Sequence, residues 1–175
     1  MPVNPRNPGQ GIRTLLFGGG QAAMFQKILV PTDGSAAALK AAQSAVALAE
    51  QFNGTVTLLH VVQHFYNLPS MAVWDAMIIP PTVLDNIETI GQNILAKTLD
   101  SISPTTVKID TRLEHGQPAE CIVRIAKQEN FTLIVIGNRG LSGFNQLLLG
   151  SVSNQVANYA SCPVLIIKDD AKTRG

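Results

Sequence analysis

A glycine-rich segment contains the residues of this sequence that are best suited to binding an anion. It has the spacing G-x2-G-x9-G-S, with Gly137 and Gly140 at its start and Gly150 and Ser151 at its end. Glycine can adopt positive φ and lets a ligand approach the backbone without interference from a Cβ atom, and we expect this of Gly137 and Gly140. Gly150 and Ser151 fall at a turn that enters a helix, where free N–H groups and the helix dipole favour phosphate. The segment therefore predicts a phosphate site, and the alternative is a glycine-rich connection without a ligand.

Two well-known phosphate motifs are missing from the sequence. There is no G-x4-G-K-[ST] segment, and no predicted strand leads into G-x-G-x-x-G. These absences argue against a Walker loop and a dinucleotide fingerprint. Arg139 is the only side-chain cation in the glycine-rich segment, so we expect backbone amides and Ser151 to supply most of the contacts to an anion.

A carboxylate follows another predicted strand, in the segment Pro31-Thr32-Asp33-Gly34-Ser35. Asp33 could accept hydrogen bonds from ribose hydroxyls or hold a metal beside phosphates. Its alternative role is to cap the next helix, for which Ser35 is the other candidate. The sequence alone favours the cap for Asp33, and both roles are compatible if one oxygen caps while the other faces a cleft.

The elements around these segments alternate between strands and helices. The predicted strands are 27–31, 55–62, 107–113, 133–136 and 163–168, and the predicted helices are 36–51, 83–99, 118–130 and 147–160. Right-handed crossovers turn this order into one α/β domain, a five-stranded parallel sheet of order 3-2-1-4-5 with helices on both faces. Ligands of such sheets bind beyond the carboxyl ends of the strands where the order reverses. The Asp33 segment and the glycine-rich segment should therefore meet at one site.

Composition excludes several other classes of protein. The chain has 175 residues, 13 basic and 12 acidic side chains and 46% hydrophobic residues, which suits one globular domain. A formal charge of +1 argues against a nucleic-acid partner, which needs clustered Lys and Arg. No apolar run reaches the roughly 18–20 residues that cross a bilayer, so we expect no membrane partner. Cys121 and Cys162 have no metal-ligand spacing and are interpreted as reduced cytosolic thiols.

Three motifs resemble the universal stress protein family. They are the segment KILVPTDGS at 27–35, the strand ending LLHVV at 58–62, and the glycine-rich segment followed by Val152. The resemblance covers about residues 24–168, and the spaced glycines are similar to those of the family's ATP-binding subclass. It implies a Rossmann-like fold, a homodimer, and ATP or a related adenine nucleotide as ligand, with Mg²⁺ shared by the phosphates and Asp33.

The resemblance also implies roles for individual residues. The positions that match those around adenine and ribose are Pro31, Thr32, Asp33 and Val61. The positions that match those around the ribose and the phosphates are Ile136, Gly137, Gly140, Gly150, Ser151 and Val152. Asn138 and Arg139 fall at variable positions of the family pattern, and Arg139 either clamps the terminal phosphate or faces water.

Other segments have less specific interpretations. Residues 1–23 are rich in Pro and Gly and predict a flexible leader or an extension added in expression, before a domain at 24–170 and a tail at 171–175. The apolar connection at 64–81 carries Trp74. It has three interpretations: the segment packs on its own domain, contacts a partner, or covers the nucleotide. His60 is interpreted as a packed, hydrogen-bonded histidine rather than a catalyst, and His64 and His115 form no ligand spacing with it.

These features together predict a cytoplasmic ATP-binding regulatory protein of the stress response. We expect it to act as a homodimer in which the last strand, at 164–167, pairs antiparallel with its copy at the sheet edge. One alternative is slow ATP hydrolysis or self-phosphorylation, with Ser142 and Ser151 as possible acceptors but no convincing base. The other is an interaction module whose nucleotide site is vestigial.

Overall fold

The computed structural model describes residues 25–63, 81–140 and 149–168, without the side chains of 81–85. The strands are β1 (Lys27–Pro31), β2 (Thr55–Val62), β3 (Lys108–His115), β4 (Leu133–Gly137) and β5 (Val164–Ile167). The helices are α1 (Ala36–Phe52), α2 (Pro81–Ser101), α3 (Pro118–Gln128) and α4 (Ser151–Tyr159). The leader, His64, Trp74, Ser142 and the tail lie outside the described residues. What the sequence predicts for them therefore stays a prediction.

The five strands form one parallel sheet of order β3-β2-β1-β4-β5. This confirms the predicted Rossmann-like sheet and its strand order. The order reverses between β1 and β4, which are paired through Ile28 with Leu133 and Leu29 with Ile134. Beyond their carboxyl ends the chain continues from β1 into α1 and from β4 into the glycine-rich segment. These two segments separate and leave a crevice between them.

Each face of the sheet carries its own hydrophobic core. Ile28 and Val30 of β1 pack with the alanine-rich side of α1 and with Leu95 of α2 on one face. Leu29 of β1 packs with α3 and with Val156 of α4 on the other face. Because β1 is buried on both sides, its run of apolar residues does not alternate, as is typical of a central parallel strand. The small side chains of α1 let that helix lie close against the sheet beside the crevice.

Several helix boundaries differ from the sequence prediction, and two of the differences have a clear physical reason. Helix α1 ends through Asn53, which has the left-handed conformation (φ 54°, ψ 41°), whereas the sequence pointed to Gly54. Gly54 is needed for a different reason, because a Cβ atom there would collide with the carbonyl oxygen of Phe25. Helix α4 begins at Ser151 and not at Leu147. Gly150 is extended (φ −61°, ψ 155°) and precedes the helix as its N-cap.

Neither cysteine is part of a disulfide: Cys121 is buried and Cys162 is half-buried. Burial raises the pKa of the Cys162 thiol. Among the described helices, none combines the length and apolarity needed to cross a bilayer.

A group of ion pairs joins β3 to α3 on the sheet face that α3 covers. Arg112 binds the Glu114 carboxylate through Nε at 2.7 Å and also contacts Glu129, and Arg124 reaches Glu114 at 3.2 Å. The hydrogen bond from Arg112 holds the pKa of Glu114 below its ordinary value. A carboxylate whose pKa is lower in the folded state stabilises the fold at pH values above its unfolded-state pKa. This contribution disappears as the pH falls through the folded-state pKa.

We therefore expect Glu114→Gln to lower the free energy of unfolding by about 1 kcal/mol at pH 7. The difference from wild type should shrink as the pH falls from 7 through the folded-state pKa of Glu114, because the wild-type carboxyl then becomes protonated as well. Urea unfolding followed by circular dichroism across this pH range measures both effects. Asp110→Asn is the matched control, since among the described residues Asp110 forms an ion pair with Lys108 alone, across 3.5 Å at the exposed surface. An equal pH dependence for wild type and Glu114→Gln would contradict the prediction.

Candidate functional site

A cavity of about 380 Å³ lies beyond the carboxyl ends of β1 and β4. This volume falls within the range of small-molecule sites. The structure brings every residue that was predicted for the site to its wall: Pro31, Thr32, Asp33, Val61, Ile136, Gly137, Arg139, Gly140, Gly150, Ser151 and Val152. The segments after the first and fourth strands therefore meet, as the strand order predicted.

Asp33 belongs to a tight turn that starts α1, and it is not the helix cap. The cap is Ser35, whose Oγ accepts from the Ala38 N–H at 3.3 Å. Asp33 instead accepts the Ser35 N–H with its Oδ1 at 3.0 Å. Its Oδ2 lies beside Gly140, where a Cβ atom would collide with it. One carboxylate oxygen therefore organises the turn while the other lies toward the glycine-rich segment.

Thr32 is held at every polar group by the surrounding protein. Its N–H donates to the Leu59 carbonyl at 2.8 Å, and its hydroxyl contacts the hydroxyl of Thr98. The Nδ1 atom of His60 lies 2.8 Å from the Thr32 carbonyl, and it must carry the proton because a carbonyl only accepts. His60 is thus hydrogen-bonded, as the sequence predicted, and it also lines the cavity.

Gly137 and Gly140 are needed for space and not for positive φ, so the prediction of positive φ was wrong for both. Among the described glycines, only Gly34 and Gly116 have positive φ, at 79° and 136°. A Cβ atom on Gly137 would lie 2.8–3.0 Å from atoms of Ala37 in α1. Gly137 therefore allows α1 to approach the end of β4, and Gly140 leaves room for the Asp33 carboxylate.

The start of α4 is fixed to the loop that follows β4. The Gly150 N–H donates to the Asn138 carbonyl at 2.9 Å. Ser153, which is buried, donates through Oγ to the carbonyls of Asn138 and Gly150 at 3.1 and 3.0 Å. Gly150 has no side chain to cap the first N–H groups of α4, which have no partner within a helix. Ser151 and Val152 line the cavity at this end.

The wall of the cavity combines apolar and polar groups. Its apolar residues are Pro31, Ala38, Leu59, Val61, Pro118, Ile122, Ile136 and Val152. Its polar groups come from the Asp33 turn, Arg139 and the beginning of α4. This combination suits a ligand that carries both a flat apolar ring and an anionic group, since fixed amide donors stabilise negative charge.

Sequence reasoning missed the contribution of α3 to this wall. Pro118 and Ile122 lie in the first turns of α3 and line the cavity. The strand order contained the signal, because a helix that connects the edge strand β3 to β4 must pass over β2 and β1. Ser153 was also missed, and its role as a buried donor became visible only once the loop and α4 were seen together.

Two other candidate residues, Asn138 and His115, do not line the cavity. Asn138 is buried, and its N–H donates to the Ile167 carbonyl at 2.7 Å instead of facing the cavity. His115 forms a 3.4 Å pair with Glu88. The part of the chain that the structure describes contains no group of three or more His, Cys, Asp or Glu side chains that could hold a metal. A metal at Asp33 would therefore need further oxygen ligands from phosphates.

The chain is similar to known proteins over most of its length. The model of the universal stress protein family matches residues 24–168. Universal stress protein YxiE of Bacillus subtilis is 34% identical over 149 residues, which cover 83% of this chain and 100% of YxiE.

Solved structures are similar over the same region. Universal stress protein UspA from Lactobacillus plantarum has a TM-score of 0.69 at 27% identity, covering 82% of this chain and 97% of its own. A universal stress protein in complex with cAMP has a TM-score of 0.60 at 28% identity, covering 81% of this chain and 96% of its own.

Proposed function

Because this chain belongs to the universal stress protein family, we propose that its cavity binds an adenine nucleotide, with ATP as the physiological ligand. Nucleotide occupancy then regulates a cytoplasmic stress response through the conformation or the partners of the protein. The observation that carries the proposal is that apolar side chains and the beginning of α4 line the same cavity.

Each part of ATP has a suitable partner in this wall. Val61 and Ile122 offer apolar surface to the adenine ring, and the Asp33 carboxylate is suited to accept hydrogen bonds from ribose hydroxyls. The N–H groups that begin α4 and the Ser151 hydroxyl are donors for the phosphates, which the helix dipole also favours. Arg139 adds a positive charge at the same end. The cAMP complex of a relative at 28% identity supports adenine as the base.

Mg²⁺ fits this arrangement as an ion held mainly by the nucleotide. Magnesium usually keeps one or two protein carboxylates together with phosphate oxygens and water. Asp33 is the only carboxylate among the described residues that line the cavity. We therefore propose Asp33 as its protein ligand, either directly or through water.

We propose binding rather than turnover as the main activity. Efficient phosphoryl transfer needs a positioned nucleophile, a base and compensation of the developing charge. Asp33 already binds the Ser35 N–H through one oxygen, and the His60 Nδ1 proton is directed at the Thr32 carbonyl. Two of the titratable groups in the wall therefore hold the site together, which favours a slow reaction or none.

Isothermal titration calorimetry with ATP, ADP, AMP, cAMP and GTP tests the proposal. We expect saturable binding of ATP, weaker binding of GTP, and an adenine nucleotide released when the purified protein is denatured and analysed by mass. Timed measurement of ADP in the same samples separates binding from hydrolysis. If none of the adenine nucleotides gives heat and none is released, the proposed function is wrong.

We also propose that the protein acts as a homodimer through β5. The two edge strands of the sheet differ in chemistry, because β3 carries Lys108, Asp110, Arg112 and Glu114 whereas β5 reads Val-Leu-Ile-Ile. Charged side chains on an edge oppose pairing with another chain, and an apolar edge favours it. Leu165 of β5 is more than a third exposed. Antiparallel pairing of two β5 strands would be symmetric and closed.

Leu165→Lys should convert this dimer to a monomer, because it places a charge in the apolar edge strand of each copy. Light scattering at micromolar concentration measures the mass. Thr111→Lys is the matched control, since it adds the same side chain at an exposed position of the other edge strand, β3. A monomeric wild type, or a dimer that survives Leu165→Lys, would contradict the β5 interface.

A further inference from the structure

A pair of buried hydroxyl groups connects α2 to the turn that carries Asp33. Thr98 of α2 is fully buried, and its Oγ1 lies 3.0 Å from Oγ1 of Thr32. The two residues are 66 positions apart. Thr98 does not line the cavity, so any effect on a ligand must pass through Thr32.

The direction of the hydrogen bonds follows from counting protons. The Thr98 hydroxyl donates its single proton to the Ile94 carbonyl at 2.8 Å, so the proton between the two hydroxyls comes from Thr32. Thr32 Oγ1 in turn accepts the N–H of Gly34 at 3.2 Å. A directed chain therefore runs from the Gly34 amide through Thr32 and Thr98 to the backbone of α2.

This chain fixes the backbone on both sides of Asp33. Gly34 has φ 79°, a left-handed conformation that its hydrogen bond to Thr32 Oγ1 supports. The carbonyl of Thr32 is held from the other side by His60. With its neighbours restrained in this way, the Asp33 carboxylate has little freedom to move relative to Gly140.

Packing alone does not explain the hydroxyl at position 98. The buried α2 side chain nearest to it in sequence is the apolar Leu95, which belongs to the core on that face of the sheet, and valine has the same shape as threonine. A buried hydroxyl adds little to stability when its partners are satisfied, and it orders the groups that it contacts. The ordered group in this case is the Asp33 turn.

We infer that Thr98 is a positioning residue for nucleotide recognition, which acts through Thr32 and Gly34 to hold Asp33 where it meets the ribose. The inference rests on the proposed function, because it requires a ribose at Asp33. It assigns a role in ligand selectivity to a residue of the core that touches no ligand.

Binding of ATP and of 2′,3′-dideoxy-ATP to wild type, Thr98→Val and Thr98→Ser tests the inference. Thr98→Val should weaken ATP binding roughly tenfold, since the Thr32 hydroxyl loses its acceptor and Asp33 loses its restraint. With both ligands measured in the absence of Mg²⁺, it should leave 2′,3′-dideoxy-ATP within about twofold of wild type, because Asp33 then has neither a ribose hydroxyl nor a metal to bind. Thr98→Ser keeps the hydroxyl and should retain the wild-type preference for ATP.

Thr132→Val is the matched control for the loss of a half-buried hydroxyl. Thr132 Oγ1 bonds the N–H and the carbonyl of Lys27 at 3.0 and 3.1 Å, at the end of the sheet away from the cavity. It should lower stability without changing either affinity. If Thr98→Val does not fold, Thr98→Cys replaces the hydroxyl by a thiol, which is only a weak hydrogen-bonding group, and should show the same selective loss.

The outcomes separate the two proposals. Wild-type protein that binds no ATP overturns the proposed function and this role with it. Wild-type protein that binds ATP, together with a Thr98→Val variant that loses both ligands equally or neither, overturns only the role of Thr98.

Discussion

Gly150→Asp is expected to abolish ATP binding without destabilising the protein. Gly150 precedes α4 as its N-cap and makes no side-chain cap hydrogen bond. Aspartate is among the best N-cap residues, so the variant should gain a few tenths of a kcal/mol in stability. The same carboxylate would stand where the phosphates are proposed to bind.

Simple electrostatics gives the size of the expected effect. Two unit charges about 5 Å apart at an effective dielectric constant of about 20 repel by about 3 kcal/mol. At about 1.4 kcal/mol per factor of ten, this corresponds to a loss of affinity of roughly a hundredfold or more. Calorimetry with ATP measures the loss, and urea unfolding of the same preparation measures stability.

Gly150→Asn separates charge from size in this experiment. Asparagine has nearly the same shape and caps a helix as well as aspartate does, but it carries no charge. A Cβ atom at this position would have its nearest neighbour, the Asn138 carbonyl oxygen, at 3.4 Å, so a side chain can be placed with a small adjustment. We expect Gly150→Asn to retain most of the affinity. Equal ATP affinities for wild type and Gly150→Asp would mean that the phosphates bind at another place.

The sequence was sufficient to predict the fold because each central strand has a strong local signal. The strand at 55–62 is apolar on both faces, and α1 combines alanine-rich periodicity with a capping serine at Ser35. The connection order then determined the sheet. The start of α4 was misjudged since Leu147, Leu148 and Leu149 are good helix formers. What keeps Gly150 extended is its hydrogen bond to Asn138, which is a tertiary contact.

The candidate site was predictable in its location but not in its internal contacts. Strand order brings Asp33 and Gly140 to one edge, and that could be deduced from topology alone. The sequence does not show that Gly140 must be small because of Asp33, or that Thr98 reaches Thr32. These contacts join residues 66 or more positions apart, so no local pattern records them.

Gly137→Ala should be strongly destabilising, by about 3 kcal/mol, at the upper end of what overpacking of a core usually costs. The added Cβ atom would lie 2.8 Å from the carbonyl carbon, 2.9 Å from Cβ and 3.0 Å from the carbonyl oxygen of Ala37. Backbone atoms cannot rotate away, so α1 must move from the sheet or β4 must shift within it. Urea unfolding followed by circular dichroism measures the loss.

A second substitution identifies which atoms of Ala37 cause the loss. Ala37→Gly removes the Cβ contact but leaves both backbone contacts, and it costs up to about 1 kcal/mol by itself because glycine is a poor helix former. The double variant should therefore remain at least as unstable as Gly137→Ala alone. Rescue by Ala37→Gly would mean that only the side chain matters, and a Gly137→Ala variant within about 0.5 kcal/mol of wild type would mean that α1 can move freely. Because α1 begins at the Asp33 turn, a backbone clash should also displace Asp33, so the surviving folded protein should bind ATP more weakly than wild type does.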